Sequence, residues 1–231
     1  MIEVDSLTKV YSGMRVLDIP QLQIPEGQSF GLVGNNGAGK TTFFRLILDL
    51  IRASTGHVIS DQIPVAGSEH WKVYTGSYLD KGFLIDFLTP EEYFAFAGEI
   101  KGLSSGDIRD FMQKNTEFFA GEVLGKKKFI RDLSAGNQQK VGIAASMMGN
   151  PRVIILDEPF NSLDPTTQIR LKNMLNDLRE HHKVTLLISS HDLNHITEVC
   201  DRICILDKGK VVQDLITNEQ TLETLKEYFS A

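Results

Sequence analysis

With 231 residues, the chain has the length of one α/β domain, or of one domain with a small inserted lobe, and no second copy of such a unit fits. Its 24 Lys and Arg against 30 Asp and Glu leave a formal net charge of −6, which gives no broad positive field and disfavours non-specific binding to nucleic-acid backbone. Cys200 and Cys204, with three residues between them, form neither a CxxC pair nor a zinc framework and read as reduced core residues of an intracellular protein.

Met1 leads into IEVDSLTKVYSG, which lacks the basic start and apolar core of a signal peptide and alternates like an antiparallel strand. QSFGLVG (28–34) is the first of four short apolar runs; RVIILDEP (152–159), KVTLLISSH (183–191) and RICILD (202–207) are the others. Continuous Val, Ile and Leu over four or five residues predict strands buried on both faces, as in a parallel sheet covered by helices. A helix is expected over TTFFRLILDLI (41–51), and another begins at TPEE, where Thr89 and Glu92 frame Pro90 as a capping box.

From about Gly82 to Asn150 no convincing strand occurs, and Phe83, Phe87, Phe94, Phe96, Phe111, Phe118 and Phe119 fall in this stretch. It reads as an inserted helical lobe, with the rings as core filler; a partner surface is the alternative. Lys126, Lys127 and Lys128 read as a solvated loop. Asp164 and Pro165 open a helix whose Leu171, Met174, Leu175 and Leu178 share one face. KVVQDL (210–215) is a second antiparallel strand, and TLETLKEYF a short amphipathic end. No apolar run approaches the roughly 18 residues that span a bilayer, so any membrane-spanning part belongs to another subunit.

The chemistry begins at GNNGAGKTT. Gly34, Asn35, Asn36, Gly37, Ala38, Gly39, Lys40 and Thr41 match G-x-x-x-x-G-K-[ST] between a strand and a helix, with Thr42 following. Such a loop points successive N–H groups at phosphate oxygens, brings the lysine to the β and γ phosphates and offers the Thr41 hydroxyl to Mg²⁺. Asp157 and Glu158 end a strand, where an acid holds Mg²⁺ and a second acid polarises the attacking water. His191 follows a third strand, so three strand ends converge on one sheet edge. As a metal pair His191 and His195 lack a third ligand, and a Ser-His-Asp hydrolase lacks its G-x-S-x-G elbow.

The order GNNGAGKTT, LSAGNQQK, VIILDEP, NSLD, ISSH resembles the ATP-binding cassette (ABC) family, and within it the separate ATPase subunit of a membrane transporter. The resemblance covers essentially the whole chain. It implies a P-loop NTPase core (1–79 and 151–231) with a mostly parallel sheet, flanking antiparallel strands and an inserted helical subdomain (80–150). It further implies ATP and Mg²⁺ as cofactors, a second ABC ATPase chain and an integral membrane permease as partners, and a place on the cytoplasmic face of the membrane. No nucleic-acid partner is expected.

Residue by residue, the resemblance makes Glu158 the general base, His191 the switch histidine at the γ-phosphate and Tyr11 the ring that stacks on adenine. Ser134 and the Gly136 backbone bind the γ-phosphate of the partner's nucleotide, and Asp164 lies in the loop that touches the opposite subunit. Three departures stand out. Asp80 replaces a glutamine that contacts Mg²⁺, as it does in many antibiotic-peptide exporters, and is expected among the metal ligands with Thr41 and Asp157. Ala135 and Asn137 replace a glycine and a glutamine of the signature, and Phe160 stands where threonine is frequent. Asp80 and the short tail favour an exporter. Alternatives are a soluble-type ABC ATPase acting on nucleic acid or the ribosome, and a nucleotide-binding regulatory partner with little turnover.

Overall fold

The four apolar runs do form strands covered on both faces, because none of their central residues carries a group that needs water. In a computed structural model describing residues 1–230, the chain begins with the long hairpin β1 (Ile2–Tyr11) and β2 (Met14–Ile24), followed by β3 (Ser29–Val33) and α1 (Lys40–Ile47). Next come β4 (Thr55–Ser60), β5 (Ile63–Pro64), α2 (His70–Tyr74) and β6 (Thr75–Tyr78). Four helices follow without an intervening strand: α3 (Pro90–Ile100), α4 (Ser105–Lys114), α5 (Thr116–Phe119) and α6 (Ala135–Met147). The chain then returns through β7 (Val153–Leu156), α7 (Pro165–His182), β8 (Thr185–Ser190), α8 (Leu193–Val199), β9 (Arg202–Asp207), β10 (Lys210–Ile216) and α9 (Thr221–Ser230).

Two sheets result. One is antiparallel, in the order β2-β1-β4-β5. The other runs β10-β9-β3-β8-β7-β6 and is parallel throughout except for β10 at its edge. The fold is therefore α/β with a mixed, mostly parallel sheet and antiparallel strands. Every residue of β3, β7 and β8 is buried, as expected of strands sandwiched between layers. One apolar layer holds α1, with Phe43 and Phe44, between the two sheets. The other runs from α7 and α8 into the helical lobe, where Phe94 packs on Phe111 and Phe119 with ring centroids 5.7 and 5.6 Å apart.

Helix ends follow local chemistry. Thr89 and Glu92 close the expected capping box on α3, and Asp164 caps α7 ahead of Pro165 by accepting from the Thr167 N–H at 3.1 Å. The phenylalanines divide. Phe94, Phe118 and Phe119 are buried core, whereas Phe83, Phe87 and Phe96 are 48%, 61% and 45% exposed, which corrects the reading of all seven as filler. Phe96 lies two residues beyond Phe94 on α3, so the helix turns it to the opposite face. Phe83 and Phe87 sit on the turn and loop before α3. Among the described residues no helix is long and apolar enough to cross a membrane.

Candidate nucleotide site

The register of the parallel sheet builds the site. Val33 of β3 pairs with Ser190 of β8, and Leu156 of β7 with Ile188, so residues 34, 157 and 191 all leave the sheet at its carboxyl edge. The loop after β3 must turn tightly to start α1 at Lys40. Gly39 does this at φ +111°, in the left-handed region that side chains avoid, and a methyl on Gly34 would overlap the Leu206 carbonyl.

The loop borders a concavity of about 360 Å³ lined by Tyr11, Val16, Asn35, Asn36, Gly37, Ala38, Gly39, Lys40, Thr41, Thr42 and Glu158. Consecutive N–H groups over a helix start, with one lysine, make an anion cradle. Lys40 is nearly buried, donates to the Gly34 carbonyl at 2.7 Å and lies 3.3 Å from Glu158 Oε1. Glu158, at φ +50°, is held at its other oxygen by His191, whose Nδ1 lies 2.8 Å and whose backbone N–H 3.2 Å from Oε2. One carboxylate thus bridges the loop lysine and the histidine at the concavity's lip.

Asp157, beside it, is buried and receives hydrogen bonds from the hydroxyls of Thr41 and Ser189. Burial holds its carboxyl above the ordinary carboxylate range, outweighing the two hydroxyls. A hydroxyl meeting a desolvated carboxylate is a hard-oxygen pair suited to a small divalent cation. An acid whose folded-state value exceeds its unfolded value costs stability when ionised. That cost is absent below the ordinary range and appears as the pH rises through the folded-state value. Asp157→Asn should therefore raise the melting temperature of the nucleotide-free protein at pH 7, with the two curves converging near about pH 4. Thermal melts across that range check this, and an unchanged melting temperature at pH 7 would contradict it.

The remaining positions are placed as follows. Tyr11 is half exposed at the mouth of the concavity, with the Lys9 ammonium 4.7 Å from its ring centroid. Ser134 caps α6 by accepting from the Asn137 N–H at 3.3 Å, and borders a separate concavity with Lys126, Lys128 and Asn137. Gly136 packs so closely that an added Cβ would lie 2.5 Å from the Ser162 carbonyl oxygen. Asp80 follows β6, whose Tyr78 pairs with Leu156 of β7, so it leaves the sheet at the same edge as Asp157. Its carboxylate accepts from the Gly82 N–H at 2.6 Å, capping the turn Lys81–Phe83, and faces Arg45 of α1 at 3.7 Å.

Two contributors escaped the sequence reading. Ser189 donates to Asp157 and accepts from the Glu158 N–H at 2.9 Å, joining the two acids. Gln139 of α6 donates to the carbonyls of Glu158 and Pro159 at 3.2 and 3.3 Å and accepts from the Tyr78 hydroxyl at 3.1 Å. A serine ending a strand and one glutamine of a pair carry no spacing signal of these roles.

A glycine cradle closed by a buried lysine, with paired acids at the end of β7, one strand removed in the same sheet, defines a P-loop ATPase. The likenesses to known proteins carry this one level further. Residues 17–161 match the ABC transporter family, and the chain belongs to that family as an ATP-binding protein. It is 33% identical to the bacitracin transport ATP-binding protein BcrA of Enterococcus faecalis, over 95% of this chain and 70% of that one. To the methionine import ATP-binding protein MetN of Carboxydothermus hydrogenoformans it is 30% identical, over 95% of this chain and 67% of that one. Its fold superimposes with a TM-score of 0.85, at 25% identity and covering 94% and 99% of the two chains, on the dimeric post-hydrolysis state of the ATP-binding cassette MJ0796 bound to ADP and Pi. The protein is thus an ABC ATPase that binds ATP.

Proposed function

We propose that this chain is the energy-supplying subunit of an exporter, working as a head-to-tail pair on the cytoplasmic face of a membrane beneath permease subunits. The observation that carries the reading is the placement of Glu158 between Lys40 and His191 at the lip of the loop concavity, while Ser134 stands on a different concavity of the same chain. A site with its base and cradle in one place and its signature serine in another is completed by a second copy, and one two-fold axis then makes two sites.

In this arrangement the loop N–H groups and Lys40 hold the β and γ phosphates, and Tyr11 supplies the adenine platform. Thr41 and Asp157 hold Mg²⁺, which when bound neutralises phosphate charge. Asp80, which accepts from the Gly82 N–H and faces Arg45 at 3.7 Å, would be the third oxygen ligand of that set. Glu158 takes the proton of the attacking water, and His191 orients Glu158 and reaches the γ-phosphate. Ser134 and the Gly136 backbone close over the partner's nucleotide, with Asp164 and its loop at the subunit contact. Export is supported by Asp80 and by the likeness to the bacitracin transport protein.

The permease contact is supported by a groove of about 290 Å³ between β6, α3 and α6, lined by Phe83, Ile85, Tyr93, Phe96 and Ile100. Phe96 and Ile100 are 45% and 71% exposed there, an apolar surface suited to a cytoplasmic segment of a membrane subunit. The pairing is tested by light scattering on size-exclusion chromatography of the Glu158→Gln protein. A change from monomer to dimer on adding Mg-ATP is the expected result; a protein that binds ATP yet stays monomeric refutes a homodimeric engine.

A further inference from the structure

One side chain outside the nucleotide concavity touches both sides of the Glu158 and His191 pair. His195 lies on α8, and its ring stacks on Phe160 with centroids 4.5 Å apart and 31° between the planes. Phe160 is buried and follows Glu158 by two residues. At its other edge His195 Nε2 lies 3.6 Å from Oδ2 of Asp192, the residue after His191. Asp192 is itself fixed: its carboxylate accepts from the Asn194 N–H at 2.9 Å, and its own N–H donates to Ser190 Oγ at 3.0 Å.

We propose that His195 is a positioning residue for ATP hydrolysis, a clamp that sets the distance between the loop carrying Glu158 and the loop carrying His191. The loop after β7 needs such ties, because Glu158 has a left-handed backbone that a non-glycine residue keeps only when its surroundings over-determine it. Gln139 grips that loop from α6, and Gln168 grips it from α7 by donating to the Phe160 carbonyl at 3.2 Å. His195 is the tie from α8, the helix that follows His191. A flat ring with a polar edge suits the place, since it stacks on Phe160 and reaches Asp192 at once. Lys172 and Glu198, paired at 2.6 Å, are the other charged groups near it and act on each other.

The inference rests on the reading of Glu158 as base and His191 as its partner. It is tested by steady-state ATPase kinetics, ATP binding and thermal melts on His195→Ala, His195→Gln and His195→Phe. Misplacing a reacting group by about 1 Å costs up to roughly 10²-fold, so His195→Ala and His195→Gln should lower kcat about tenfold or more. KM and Kd for ATP should not change, because the loop cradle is untouched. His195→Phe, which keeps the stack on Phe160 but not the reach to Asp192, should recover kcat only in part and stay above His195→Gln. Combining His195→Ala with Phe160→Leu should cost no more than the larger single loss, since both act through one contact.

A kcat for His195→Gln and His195→Ala within about twofold of wild type overturns the proposal, as do losses in the double variant that multiply as independent sites do. If His195→Ala shows no cooperative melt, the contrast between Gln and Phe decides alone. A failure of the underlying reading looks different: Glu158→Gln would then keep turning over, whatever His195 does.

Discussion

Replacing Glu158 with glutamine is expected to lower steady-state ATP turnover by about 10²–10⁴-fold, the range set by loss of a positioned general base, while ATP binding persists. Glutamine keeps the length of the side chain and an oxygen able to accept from the His191 N–H, now 3.2 Å from Oε2. What it lacks is basicity towards the attacking water and charge towards Lys40, now 3.3 Å from Oε1. Losing that charge frees Lys40 for phosphate, so affinity should hold or rise even as hydrolysis stops. Paired measurements of nucleotide binding and phosphate release decide the matter. Residual hydrolysis within about tenfold of wild type would remove Glu158 from the role of base.

Gly76→Ala is expected to destabilise the protein by about 3 kcal/mol, the upper end of ordinary overpacking costs. Gly76 is buried in β6, and a methyl on it would overlap the Ser146 carbonyl of α6 and lie 3.4 Å from the Pro151 ring. A backbone carbonyl within a helix cannot swing aside as a side-chain tip can. Four residues earlier on α6, Gly142 meets the ring of Tyr78 just as tightly, so the helix has no direction of easy retreat. For a chain of this size the melting temperature should fall by about 6–12 °C. ATP affinity should change little, because the loop cradle belongs to β3 and α1 while the strain falls on β6 and α6. A melting temperature within about 2 °C of wild type would show that α6 is not held against β6 as described.

The contrast between β6 and the other strands shows where the sequence is informative. Strands β3, β7, β8 and β9 announce themselves because burial on both faces demands continuous Val, Ile, Leu and Phe. β6, Thr-Gly-Ser-Tyr, is an edge strand whose composition answers to α6, about 65 residues further on, and no local pattern records that. The loop Gly34–Thr41 and the acids Asp157 and Glu158 were readable because phosphate and cation chemistry fixes residue type and spacing together. Asp80 stands out through the family resemblance alone, and its partner Arg45 lies on a helix more than thirty residues earlier, where only the fold makes them neighbours. Exposure of Phe83, Phe87 and Phe96 was likewise a matter of which way an element faces.

The bonds of Lys40 have a further consequence. Within the chain its ammonium already has an oxygen partner of each kind, the neutral carbonyl of Gly34 and the anion of Glu158, and almost no access to water. Any incoming nucleotide competes with this internal solvation rather than with bulk solvent, so its affinity reports the difference between two nearly complete coordination shells. A nucleoside monophosphate has no β or γ oxygens with which to enter that contest. The side chain that recognises phosphate thereby acts as a counter of phosphates.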